Sequence, residues 1–531
     1  MTAEADLFLT NGQIHSLTDD DTDPFEVTDD DTDPVEAVAV RDGRIARLDT
    51  SYEIEFLDGV ETDVIDLDGQ TVLPGFIDAH THMEVIGQYE READLTDADT
   101  PEDCIDRLAA LRDDPVRDRK GTDEWILGLG YDESRWGGDY LTRDHLDEVS
   151  TDRPVVAVRE DMHVASVNSV VLDRHREEMP QSQVRTAGGE PTGVLVEDAV
   201  GVVREHSSAD PETTREYIKA AQTYANRRGV TAVHDMVRQS HAPRVYRDLD
   251  AEGSLTLRVR LNYWSDHLDA VLETGLRTNH GSDRVRTGAI KTFTDGSIGG
   301  RTARLSAPYA DAGEGNAPPD ERGDWVVDPD TVADLAARVD NAGLQLTAHA
   351  IGDEAIATTL DALEGTDGER HRIEHAEVLT DELIERLAAA DVVVSAQPNF
   401  LKWAREDGLY AERLGDERRL DSNRLGALQD AGATLAFGSD CMPLDPLFGI
   451  DQVVTGPSPE QALSMTDAIR AYTAGGAYAG YDEDRLGTIE VGKCADFAVL
   501  AESPWESDDI ADIDVEMTVV GGELVYDGRE D

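Results

Sequence analysis

His80 and His82 sit two positions apart in a His-x-His motif. Lys291, His349, His375 and Asp440 are the other residues whose types suit metal-assisted chemistry. In extended backbone, residues two apart point to one side, so His80 and His82 can grip one cation. Imidazole and carboxylate donors favour Zn²⁺, with Mn²⁺, Fe²⁺, Co²⁺ and Ni²⁺ compatible. Sites for Mg²⁺ or Ca²⁺, built of oxygen ligands, are disfavoured. A lone buried His is more often a hydrogen-bonded core residue, so the metal reading rests on the set and not on any member.

What makes it a set is the elements that carry it. Apolar stretches at Gly229–Asp235, Leu257–Trp264, Thr287–Phe293, Leu344–His349, Arg372–His375, Val392–Gln397 and Thr434–Asp440 read as strands. Amphipathic segments such as Pro211–Arg228, Asp328–Ala342 and Thr380–Ala390 alternate with them, which predicts a parallel sheet. With Thr71–His80 as the first strand the count is eight, which suggests a closed (β/α)8 TIM-like barrel of the α/β class. Active sites of such barrels lie at the C-terminal ends of the strands. The chain has 14 His, and four of them, His80, His82, His349 and His375, fall at predicted strand ends. Lys291 lies in the fourth strand, and Asp440 ends the eighth.

Composition bounds the rest. The chain has 531 residues, and 47 Lys plus Arg against 113 Asp plus Glu gives a formal charge of 47 − 113 = −66. A protein this acidic does not track nucleic-acid phosphates or an anionic membrane with a basic surface. Disorder is the bland reading of so much charge. Counting the 45 Gly in place of the 14 Tyr raises the apolar share from 39% to about 45%, the low edge of the globular range, so a core can form. Only Lys120, Lys219, Lys291, Lys402 and Lys493 are lysines. Abundant Asp with scarce Lys suggests a halophilic protein, because high salt screens repulsion among surface carboxylates. A lysine inside an apolar strand of such a chain calls for a reason.

Cys104, Cys441 and Cys494 are odd in number and form no CxxC pair, which fits a reducing cytosol. The N-terminus lacks an apolar signal core, and no run approaches a membrane span. A cytoplasmic, membrane-free protein is expected, and a homodimer is compatible with the sequence. TDDDTDPFE at 18–26 recurs as TDDDTDPVE at 28–36, an Asp-rich repeat expected to be a solvated loop. It has no Gly or Glu where a calcium loop needs them. Short β-branched strands surround it at Ala5–Ile14, Glu36–Leu48 and Thr62–Asp66, and again near the C-terminus at Phe497–Leu500, Val515–Val520 and Glu523–Tyr526.

GFIDAHTH, IKTFTDGSIGGRTA, TAHAIGD, HRIEHAEVL, GSD and LGTIEVGKCADFAVL together resemble the amidohydrolase superfamily, and within it family 3, the YtcJ-like metal-dependent hydrolases. The resemblance runs from about residue 5 to about residue 527. It implies a small β-sandwich built from both chain ends (1–70 with 485–531) joined to the barrel (71–484), with a large insert at about 90–219 after the first barrel strand. It makes Lys291 a candidate carbamate, condensed with CO₂ and bridging two metal ions. The function it implies is hydrolysis of a C–N bond other than a peptide bond, in a small amide, N-acyl or N-formyl substrate. In that scheme His80, His82 and Asp440 hold the more buried ion, His349 and His375 hold the outer one, and Asp440 takes the proton of a metal-activated water.

The insert is read as a lid. In it, Asp161-Met-His163 followed by Asn168-Ser169 is similar to the family's DGH…NS segment, with Met162 in place of Gly. His163 is therefore a candidate substrate contact. Asp295 and Arg301, in the Gly-rich loop after the fourth strand, are further candidates, Arg301 for a substrate carboxylate or carbonyl. His234 matches no ligand position and is read as structural. The rival readings are ring deamination or cyclic-amide opening on the same scaffold, a non-catalytic metal-binding regulator, and a structural protein. The last leaves the strand-end histidines unexplained.

Overall fold

The computed structural model describes residues 4–18, 35–113, 125–160, 162, 164–313, 318–368 and 370–529. His163, Asp161 and most of the Asp-rich repeat lie outside the described residues. Two compact units divide the chain. One comprises residues 1–83 with 222–531, and the other comprises residues 84–221.

The first unit contains an eight-stranded sheet. Its strands in chain order are β1 (Phe76–Thr81), β2 (Val230–Val237), β3 (Arg258–Trp264), β4 (Val285–Phe293), β5 (Leu346–Ala350), β6 (His371–His375), β7 (Val392–Ala396) and β8 (Thr434–Phe437). Each pairs with the next in parallel register, from β1 to β8. The ring is drawn together where Ser439 and Asp440, just past β8, donate backbone N–H to the His80 carbonyl of β1 at 3.1 and 2.8 Å. Gly438 permits that approach, since a Cβ there would lie 2.4 Å from the His80 nitrogen. This is the α/β barrel expected from the strand–helix alternation. The helices between strands start where the sequence caps them. Asp328 accepts from the Thr331 N–H and Thr380 from the Leu383 N–H, each N-cap contributing about 1 kcal/mol.

One expectation needs correcting. Thr71–His80 is not a single barrel strand. Thr71–Pro74 belongs to a separate five-stranded sheet, and the barrel strand starts at Phe76. Gly75 is the joint. A Cβ on it would sit 2.2 Å from Thr231 Cγ2, so the chain can turn from one sheet into the other only with the side chain absent.

That five-stranded sheet runs Gln13–Ile14, Thr71–Pro74, Phe497–Leu500, Val515–Val520, Glu523–Asp527. A four-stranded sheet holds Arg44–Asp49, Ala37–Arg41, Leu7–Thr10 and Asp63–Asp66. Leu7, Leu9, Val38, Val40 and Ile45 of one pack with Val72, Phe497, Val499, Met517 and Val519 of the other in one buried core. Both chain ends therefore build one β-sandwich.

The unit 84–221 has a mixed six-stranded sheet, in the order 184–187, 190–196, 164–167, 155–159, 126–131, 93–94. Two cores serve it. Leu95, Leu108, Tyr131 and Leu146 belong to one, and Val167, Leu172, Leu195 and Val203 to the other. Among the described residues no helix is long and apolar enough to cross a membrane.

Candidate metal centre at the barrel mouth

Asp78 and His80 lie on the inward face of β1, two residues apart, and His82 follows the strand end. The Asp78 carboxylate accepts from the backbone N–H of His80 (3.0 Å) and of Ser439 (3.1 Å), which ties β1 to the loop after β8. Burial pushes its pKa up to about 7 against the pull of these bonds.

That loop carries Asp440, whose φ of +53° is a left-handed conformation costly for a residue with a side chain. The conformation is held from outside. Asn399 donates to the carbonyls of Ser439 and Met442, and Lys402 Nζ donates to the latter at 2.8 Å. Asp440 Oδ1 then lies 3.2 Å from His82 Nε2 and 3.6 Å from His80 Nε2. Burial alone would raise its pKa. The hydrogen bond to His82 and the imidazoles of His80 and His375 hold it well below the usual carboxylate range.

His375 ends β6. Strict alternation would place Arg372 and Glu374 inward and His375 outward, but His375 has φ +70°. That local break lets consecutive residues serve one site. One donor atom each from His80, His375 and Asp440 lies within 4.8 Å of the others. His349, on β5, packs its ring 4.4 Å from that of His375, while its Nε2 lies 3.0 Å from the Gly296 carbonyl. Burial and the Lys291 charge push His349 down to about 3 and His80 down to about 4, so these imidazoles are neutral, the form in which an imidazole can bind a cation.

The outer partners fix how the imidazole rings face. His80 Nδ1 lies 2.5 Å from Glu374 Oε2, and His375 Nδ1 lies 2.5 Å from Gln397 Oε1. Glu374 also accepts from Thr347 and from Arg372 Nε (2.8 Å). Fully buried Arg372 reaches on to the Ala79 carbonyl, Ser395 and His234 Nδ1. His234 is thus a support for Arg372. Sequence reasoning missed Glu374, Arg372, Gln397 and Asp78. Its own test for Lys291, a charge inside an apolar strand, applies equally to Arg372 and Glu374 of β6.

Lys291 is 1% exposed, and among the described residues its Nζ has no hydrogen-bond partner. Burial lowers its pKa to about 8, opposed by the Glu374 and Asp440 carboxylates. A buried donor left without a partner is costly. A basic nitrogen so poised fits a group that would occupy the space before it, and together with the converging His and Asp donors it fits a divalent cation site.

The remaining candidates are placed differently. Asp295 is completely buried, and its oxygens accept from the backbone N–H of Ile351, Gly352 and Arg304 at 2.7–3.0 Å. It thereby holds two loops together, and His349 Nε2 lies 3.7 Å from its Oδ1. Arg301 is part-exposed and paired with Asp311, which also binds Arg413 at 2.8 Å.

A profile of the amidohydrolase family matches residues 63–526. The putative amidohydrolase YtcJ of Bacillus subtilis is 32% identical over 527 residues, covering 93% of this chain and 96% of that protein. An N-substituted formamide deformylase of Arthrobacter pascens is 26% identical, covering 93% and 95%. A crystal structure of an uncharacterized metal-dependent hydrolase from Pyrococcus furiosus superposes with a TM-score of 0.78 at 29% identity, over 94% of this chain and all of that one. With an eight-stranded parallel barrel whose mouth gathers His80, His375 and Asp440, the chain belongs to the amidohydrolase family, in its family-3, YtcJ-like branch, and is a hydrolase acting on C–N bonds.

Proposed function

We propose that the enzyme hydrolyses a small non-peptide amide, of the N-acyl or N-formyl type, at the barrel mouth. The observation that carries this reading is the convergence of His80, His375 and Asp440 within 4.8 Å at the C-terminal ends of the strands. The likeness to a formamide deformylase over nearly the whole chain supports the substrate class.

His80, His82, His349, His375 and Asp440 would hold one or two divalent ions, Zn²⁺ first, with Lys291 as a carbamate joining the set. A divalent ion bound there supplies Lewis acidity toward the scissile carbonyl. Asp440, kept ionised by His82 and His80, accepts the proton of the attacking water at Oδ1 and returns a proton to the leaving nitrogen. Glu374 and Gln397 orient His80 and His375. Phe293, 4.6 Å from His349, and Phe400, stacked on His375 at 6.1 Å, give the mouth apolar walls suited to a hydrocarbon or ring substituent. The excess of acid over base supports function in a salt-rich cytosol.

The test is turnover of an amide and lactam library in high-salt buffer with Zn²⁺ or Mn²⁺. Release of a carboxylic acid and an amine from acyclic amides is expected. Ammonia release from ring substrates alone would replace the reading with deamination, and ring opening of lactams alone would replace it with cyclic-amide hydrolysis.

A further inference from the structure

A second group of metal-ligating side chains lies within residues 84–221, and the hydrolytic reading makes no use of it. His175 ends the helix Ser169–His175, Glu178 closes the 3-10 turn Arg176–Glu178, and His206 ends the helix Asp198–His206. His175 Nδ1 lies 3.2 Å from Glu178 Oε1, and His206 Nε2 lies 2.9 Å from Glu178 Oε2. One donor atom from each residue falls within 4.8 Å of the other two. The imidazole rings stack at 3.9 Å between centroids and 26° between planes. Trp125 stacks against the His175 ring at 5.9 Å, which restrains its orientation.

We propose that His175, Glu178 and His206 form a binding site for a borderline transition cation of the Zn²⁺ class, separate in ligands from the barrel site. Two imidazoles and one carboxylate make a donor set for Zn²⁺, Co²⁺ or Ni²⁺, and a poor one for Mg²⁺ or Ca²⁺. With Zn–N and Zn–O bonds of about 2.0–2.1 Å, a tetrahedral ion holds its donors roughly 3.3 Å apart. The two nitrogen–oxygen separations are near that value but run to different oxygens of Glu178, so the carboxylate and the two stacked rings must turn to face one ion. Three protein ligands leave a fourth position for water, and Glu178, with 52% of its side chain exposed, keeps the site open to solvent. The ligands lie 31 residues apart along the chain, counted from 175 to 206. Bound metal therefore clips two helix ends of this unit together and stabilises it by closing that loop.

The test starts from metal-stripped enzyme in high-salt buffer, titrated with Zn²⁺ at micromolar free concentration. Bound metal is counted by elemental analysis, and stability is read from the thermal midpoint. Wild type should bind one more equivalent than His206→Ala and than Glu178→Gln. A His80→Ala/His82→Ala double variant should retain that equivalent. Zinc should raise the midpoint of the double variant, and adding His206→Ala should abolish the rise. Both single variants should keep wild-type circular dichroism and turnover. Equal zinc counts in wild type, His206→Ala and Glu178→Gln would overturn the proposal. So would binding seen only at millimolar zinc, which marks an adventitious ion.

Discussion

Glu374 Oε2 lies 2.5 Å from His80 Nδ1, deep inside the barrel, with Arg372 bound to the other oxygen of the same carboxylate. The ring of His80 is therefore tethered through Nδ1, and Nε2 is the nitrogen left facing Asp440. Burial opposes the charge on Glu374, but Arg372 and His80 keep it ionised, well below the usual range.

Replacing Glu374 by Gln should keep the packing and remove the anion that fixes the His80 tautomer. Metal affinity should fall by about 10–100-fold, the usual cost of losing such a partner. Competition with a chelator of known strength measures it. Wild-type affinity in Glu374→Gln would break the link between this pair and the metal.

Asp440→Asn keeps the side-chain shape and an oxygen donor. The variant should retain metal by elemental analysis and lose turnover by at least ~10², the scale of a general base. Near-normal turnover would remove Asp440 from the proton-transfer role.

Lys291 titrates at about 8 because burial disfavours its ammonium form. Carbamate forms only on the neutral amine. A base with a lowered pKa is neutral above that value and protonated below it, so the reactive form grows as pH rises. Metal loading in bicarbonate should rise as pH climbs through 8 and fall as it drops toward 6. A ¹³C carbamate resonance after labelling with ¹³CO₂, absent in Lys291→Met, reads the group directly. No resonance at pH 8.5 in the metal-loaded enzyme would leave Lys291 as a plain amine.

The charge of −66 predicts a strong salt dependence. The thermal midpoint should climb from dilute buffer to molar KCl as screening weakens carboxylate repulsion. A midpoint independent of salt would sink the halophilic reading.

Much of the site could be read in advance because strand ends carry the chemistry of a barrel. His80, His349 and His375 stand at or beside the ends of β1, β5 and β6. What stayed hidden depends on backbone angles and on partners distant in sequence. Period-2 alternation separates Glu374 from His375, and only the +70° φ at His375 brings both to one site. Gln397, paired with His375, lies 22 residues away and carries no charge to draw attention. Asp295 looked like a substrate contact because its loop is glycine-rich. Its oxygens meet backbone donors from Arg304, Ile351 and Gly352, which no local pattern announces. The strand break at Gly75 was invisible because the side chain it must avoid, Thr231, belongs to another strand.

The interleaved sandwich has a consequence for how the molecule is made. Val72 and Leu73, just ahead of the barrel, pair with Val499 and Ala498, more than 400 residues further along. During synthesis the first strands leave the ribosome long before their partners exist. The apolar face of Leu7, Leu9, Val38 and Val40 must wait uncovered while the whole barrel emerges. Emergence of the strands from residue 497 onward, not emergence of the barrel, is then the event that completes the sandwich, and a nascent chain stalled before residue 497 is the species most in need of a chaperone.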